Sequence, residues 1–278
     1  MNKKVLIFGN ILIILSLIFV YTFSRENPPE NTQNDITIFT REPLLGIHAK
    51  MITASDENIY IAKSEKLSKN DIDELNTSSI ILSSKPISES DMGRELQSYK
   101  WLYITIPSDT STTKTHSIQA LSAQIELVRD TLSDVNPSLR WFYYDNAGNY
   151  IHLLNTTLAS FKTRIEKLKP THFVTIGDNL NNFLQGIGIV NYRVKNYDNI
   201  NSFLLDRDAP ELIKEKSVNY IFATNSKDPG EVKKIRKKYP DITVYLTPEL
   251  QDDTSRWGYI RFSEKMMNDF VAAFDTYD

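Results

Sequence analysis

The chain contains no cysteine. That absence excludes a disulfide, a thiolate-held metal and a cysteine nucleophile. It also excludes the lipid-bearing cysteine of a bacterial lipoprotein, so any tether to a membrane has to be the polypeptide itself. Histidine is scarce, with four residues scattered through 278: His48, His116, His152 and His172. An excess of positive charge is missing too. The formal net charge is −3, which argues against an electrostatic nucleic-acid binder. The one basic run, Lys233, Lys234, Arg236, Lys237 and Lys238, falls on a predicted helix and reads as its solvated face. The Gly-x-Ser-x-Gly, phosphate-loop and His-Glu-x-x-His patterns of common enzymes do not occur. No pair of acids is marked by spacing, so the sequence points to binding and not to an enzyme.

A long apolar run is present, at the start. Lys3 and Lys4 precede an apolar stretch from Val5 to Phe23, close to the ~20 residues that a bilayer-crossing helix needs. Cationic residues ahead of such a span favour an N-terminus held in the cytoplasm, with the rest of the chain outside. The stretch reads either as an uncleaved signal anchor or as a cleaved signal peptide. No small-x-small site stands near Tyr21–Ser24, which favours the anchor. Both readings make the body extracytoplasmic. Residues 1–24 are therefore assigned to a membrane anchor or signal segment, and the polar, Pro/Asn-rich residues 25–35 to a linker.

From residue 36 onward, short apolar strands alternate with helices. Strands are expected at 35–40, 58–62, 79–83, 101–106, 171–176, 218–223 and 242–246. Helices are expected at 69–76, 115–132, 178–186, 229–239 and 256–274. The most distinctive element starts at Asn136, a suitable N-cap, followed by Pro137 at the first helical position. Its stripe of Ile151, Leu154, Leu158, Phe161, Ile165 and Leu168 carries it to Leu168. Alternating strands and helices imply parallel sheets, and one very long helix implies a rod between two lobes. The reading is an α/β fold with two lobes, each a small parallel sheet flanked by helices. The N-terminal lobe covers 36–135, the linking helix 136–169 and the C-terminal lobe 170–278. In such folds, ligands sit at the carboxyl ends of strands; Gly177–Asp178 and Thr247–Glu249 occupy two of those ends.

Four segments, in this order, resemble the metal-specific solute-binding proteins of bacterial zinc and manganese ABC transporters. They are "LSKNDIDELNTSSIIL" (67–82), "LVRDTLSDVNPSLRWFYYDNAGNYIHLL" (127–154), "HFVTIGDNLNNFL" (172–184) and "VNYIFATNSKDPGEVKKI" (218–235). The resemblance implies two lobes, a long connecting helix, Zn²⁺ or Mn²⁺ held between the lobes, and delivery to an ABC permease in the membrane. It also implies ligands, usually three histidines and one acid, two from each lobe.

At those four positions the sequence departs from the family. "AKSEK" (62–66) replaces the first histidine loop. "DTSTTKTHS" (109–117) covers the second, with His116 aligned a turn late. Gly177 stands where the third histidine is expected, with Asp178 kept. Thr247 stands at the acid, with Glu249 two residues on. The long histidine-rich loop of zinc-specific members is missing. By resemblance the candidate metal residues are therefore His116, Asp178 and Glu249, with Gly177 and Thr247 occupying two ligand places, and Zn or Mn held weakly or not at all. Each residue also has a plainer reading. His116 fits the first turn of a helix, Asp178 an N-cap, and Asp252–Asp253 a polar turn. His152 suits a helix boundary, His172 a strand start, and His48 lies in an amphipathic segment without a visible partner. Two functions follow. One is a solute-binding protein that holds a divalent metal, or another solute hydrogen-bonded by residues such as Asp178, Asn181, Asn225 and Thr247. The other is a metal-free paralogue serving as a protein-interaction module.

Overall fold

The computed structural model describes residues 36–62, 67–83, 102–105, 116–168, 170, 172–189, 193–224 and 229–274. The candidate membrane span and linker lie outside the described residues. Among the described residues, no helix is long and apolar enough to cross a membrane.

The first half comprises β1 (Ile38–Thr40), α1 (Pro43–Thr53), β2 (Ile59–Ile61), α2 (Lys69–Thr77), β3 (Ile80–Ser83), β4 (Leu102–Thr105) and α3 (Ile118–Val135). A short 3-10 turn at Pro137–Leu139 leads into α4 (Arg140–Leu168). The second half comprises β5 (Phe173–Ile176), α5 (Asp178–Gly186), β6 (Arg193–Tyr197), α6 (Ile200–Leu205), α7 (Ala209–Glu215), β7 (Tyr220–Thr224), α8 (Pro229–Lys238), β8 (Thr243–Thr247) and α9 (Gly258–Phe274). Two four-stranded sheets result, ordered β2-β1-β3-β4 and β6-β5-β7-β8. Every pairing in them is parallel. The expected α/β class, with two sheets and a long helix between them, is what the chain forms.

Alternation along the strands explains why both faces of each sheet are covered. In the first sheet Ile38, Ile80 and Leu82 join the large core, while Phe39 and Ile81 point into a smaller cluster on the other face. In the second, Phe173, Tyr220 and Phe222 join the same large core, and Val174, Ile176, Ile221 and Ala223 face the opposite side. Successive strand residues point to opposite faces, and parallel sheets are buried on both. The large core is continuous across both halves, because α4 lines it from Tyr143 to Ile165.

α4 has 29 residues, or about 44 Å at 1.5 Å per residue. Its start differs from expectation. Asn136 makes no side-chain bond to the helix backbone and precedes the 3-10 turn; its carboxamide oxygen accepts instead from the Ser138 hydroxyl at 2.5 Å. α4 is also not the only connection. After β8 the chain returns to the first lobe, where the Lys50 Nζ donates to Thr254 O at 2.9 Å and the Arg256 amide donates to Asp56 Oδ1 at 2.9 Å. α9 then runs back along α4. Gly258 at its start lies against Ile47, and Phe270 and Phe274 near its end meet Phe173 edge-on and Phe222 at a tilt. Two rods therefore join the halves.

His48 sits on α1 inside this core, with no exposed surface. Burial pushes its imidazole down to about 3, against ~6.5 in an unfolded chain. Between those values the unfolded chain takes up a proton that the folded chain refuses. Stability is therefore complete above pH ~6.5 and falls as pH drops. This one residue is expected to remove about 2 kcal/mol between pH 7.5 and 5.0. Urea unfolding at the two pH values, with His48→Phe for comparison, checks it; an equal pH effect in the variant would refute the assignment.

Candidate functional site

The strand ends are the place to build the site. At the first sheet, Thr40 closes β1, and its hydroxyl accepts from the Glu42 amide at 3.0 Å. The Ser83 hydroxyl, at the end of β3, donates to Glu42 Oε1 at 3.3 Å. A carboxylate held by one hydroxyl, with its backbone tied to a second, thus stands at the carboxyl edge of β1 and β3. Sequence reasoning passed over Glu42. The available signal was an acid placed immediately after a strand and before Pro43 at the first turn of a helix.

At the second sheet, β5 ends in Gly177, whose amide donates to Tyr197 O at 2.7 Å. Gly177 has φ 87° and ψ 166° and takes the N-cap of α5, so Asp178 is the first helical residue and not the cap. The Asp178 side chain lies outside the described residues. Thr247, at the end of β8, is 2% exposed and its hydroxyl donates to Ala223 O at 3.2 Å; it ties β8 to β7. Glu249 caps the 3-10 turn Leu250–Asp252. Its carboxylate accepts from the Asp252 amide, while its own amide donates to Asp252 Oδ2 at 3.1 Å. Asp253 is held by Arg261 through a 2.6 Å ion pair, which lowers its carboxyl against the opposing effect of burial. Asp252–Asp253 is a polar turn in the structure. Asn181 is buried and accepts from Gln185 Nε2 at 3.2 Å; Asn225 lies outside the described residues.

His116 stands just before α3. Its Nδ1 and the Tyr259 hydroxyl share a hydrogen bond of 3.0 Å. Its ring stacks on Tyr259 and Phe262, with Phe183 close by. Enclosure pushes the imidazole down to about 4. The His116 carbonyl also abuts Gly186, where a Cβ would come within 2.6 Å of the oxygen. The last turn of α5 therefore packs directly on this loop, and only glycine fits there. Of the remaining histidines, His152 sits exposed on α4, and His172 is exposed in a left-handed conformation (φ 63°) just before β5. Among the described residues, no group of three or more histidine and acidic side chains could hold a metal ion.

Two parallel sheets joined by a long helix, with polar residues at the strand ends, define the class as a two-lobed α/β protein. The family model described as ZnuA, zinc-uptake complex component A, periplasmic, matches residues 115–273, more than half of the chain. The chain belongs to that family. No curated protein matches it. Among solved structures it resembles the Mn-bound periplasmic metal-binding protein of Candidatus Liberibacter asiaticus, at 15% identity and a TM-score of 0.66 over 86% of this chain and 99% of that one. The Cd-bound form of that protein gives 16% and 0.65, with the same coverage. The binding protein FpvC of P. aeruginosa, in complex with Ni²⁺, gives 16% and 0.63 over 88% and 98%. At such identities the likeness concerns the fold.

Proposed function

We propose that the protein is an extracytoplasmic solute-binding protein, anchored through residues 5–23 and working with an ABC permease, whose cargo is held by oxygen donors and not by imidazole. The observation that carries this reading is the engagement of His116 by the Tyr259 hydroxyl and the rings of Phe183, Tyr259 and Phe262. The nearest sequence candidate for an imidazole ligand is already used inside the protein. Acids near the strand ends include Glu42, Asp178 and Glu249. Carboxylate and hydroxyl donors suit Mn²⁺ better than Zn²⁺, for which imidazole is the better match. Binding and docking account for the function without a catalytic step.

Thermal denaturation with Mn²⁺ and with Zn²⁺ tests the proposal. A cation present at 100 times its dissociation constant stabilises by about 2.7 kcal/mol. Mn²⁺ is expected to raise the melting temperature more than Zn²⁺, Asp178→Asn and Glu249→Gln to reduce the rise, and His116→Ala to leave the increment unchanged. A Zn²⁺ shift abolished by His116→Ala would overturn the oxygen-donor reading. The second reading, a metal-free interaction module, is favoured by the lack of a metal-holding cluster among the described residues. It predicts no shift with either ion.

A further inference from the structure

Five polar side-chain atoms in the large core meet no hydrogen-bond partner within the protein: Nδ1 and Nε2 of His48, Oε1 of Gln124, the Tyr150 hydroxyl and Oγ of Ser263. The four residues come from four helices, α1, α3, α4 and α9, and each is more than nine-tenths buried. His48, Gln124 and Tyr150 are neighbours, and Ser263 connects to them through Tyr259. The His48 and Tyr150 rings meet edge-on at 5.6 Å. Gln124 lies beside the His48 ring, without reaching hydrogen-bond geometry. Tyr150 lies within electrostatic reach of Tyr259, and Ser263, one helical turn beyond Tyr259 on α9, lies beside the Tyr259 hydroxyl without reaching hydrogen-bond geometry. The Tyr259 hydroxyl itself is accounted for by His116.

A buried polar group left without a partner costs about 1–3 kcal/mol. Five of them would consume much of the ~5–15 kcal/mol that keeps a domain folded. The set is complementary to one kind of guest. Neutral His48 offers one N–H and one lone pair, Gln124 Oε1 only accepts, and the two hydroxyls each donate and accept. None of the four is an acid or a permanent cation, so neither a metal ion nor an anion is matched. A small neutral molecule with two donors and two acceptors is matched.

We propose that this joint, where the first lobe and α9 meet the linking helix, is a built site for ordered water bridging His48, Gln124, Tyr150 and Ser263. The water links side chains of α1 and α3 to the two rods, so part of the adhesion between α9 and the first lobe runs through solvent. Polar, otherwise unpaired clusters of this kind are where buried waters reside, typically making about three hydrogen bonds each. The inference does not depend on what the strand-end site holds.

Melting of the full chain carrying Tyr150→Phe or Ser263→Ala tests the site. Removing a hydroxyl that anchors water strands the water's other partners, and the melting temperature is expected to fall by about 3 °C or more. Removing a hydroxyl with no partner relieves a penalty, so an unchanged or raised melting temperature in both variants would overturn the proposal. If the variants do not fold, a wild-type crystal structure at about 1.5 Å decides. Water density within hydrogen-bond distance of His48 and Tyr150 supports the site, and direct side-chain pairing with no water between refutes it.

Discussion

Gly177→His is expected to destabilise the protein by about 3 kcal/mol and to leave Zn²⁺ affinity no higher than before. The substitution would restore the residue that the family resemblance implies. The backbone does not accept it. At φ 87° and ψ 166°, Gly177 occupies a region that is essentially reserved for glycine, and forcing a side chain there costs of order 1–3 kcal/mol. A Cβ would also run into the Thr224 side chain on the adjacent strand, coming within 3.0 Å of the Thr224 Cβ. The corner cannot easily rotate away, because the Gly177 amide is held by Tyr197 O at 2.7 Å. Urea unfolding and Zn²⁺ calorimetry of the variant check the expectation, and Gly177→Ala separates the backbone cost from any effect of imidazole. A variant of native stability that takes up Zn²⁺ would show that the corner's geometry is no barrier.

Phe270→Ala should cost more, about 3–5 kcal/mol, as deletion of a fully buried aromatic ring usually does. Phe270 is completely buried. Its ring lies 5.0 Å from Phe222, 5.1 Å from Phe274 and 5.2 Å from Phe173, so one truncation opens a cavity between the second sheet and the end of α9. Leu205, 80% exposed, is the control: Leu205→Ala should stay within about 0.5 kcal/mol. Guanidinium denaturation of both variants tests the pair. A Phe270→Ala effect below 1 kcal/mol would mean that α9 is not anchored to the second sheet through this cluster.

Most of the fold was legible because strands and amphipathic helices announce themselves through period. The stripe of α4 and the run Phe173–Ile176 into α5 are cases in point. Several features were not legible, α6 and α7 among them, and three have a clear physical reason. α1 (Pro43–Thr53) read only as an amphipathic segment around His48; it is buried nearly all round, His48 and Lys50 included, so its polar residues do not mark an exposed face. β6 (Arg193–Tyr197) is an edge strand carrying Arg193, Lys195 and Asn196 and shows no apolar run. α9 was located by its spacing, but spacing reveals that a face is buried and not what covers it, so its return to the first lobe stayed hidden. At the site, the strand ends were found through chain topology. The roles of individual side chains were not. Whether Thr247 faces a ligand or bonds to Ala223, and whether His116 faces solvent or stacks on Tyr259, depends on tertiary packing that local sequence does not encode.

The path of the chain through α9 bears on when the molecule can form. Arg256 meets Asp56 across 200 residues of sequence, and Tyr259, Phe262 and Met266 complete the core begun by Ile38 and Leu45. Contacts so distant in sequence slow folding, because long loops must close before any stabilisation returns. An N-terminal half emerging during synthesis would lack a wall of its own core until the last helix arrives. On the proposed extracytoplasmic location, that delay would help, since a first lobe that awaits the last helix stays open longer to passage across a membrane.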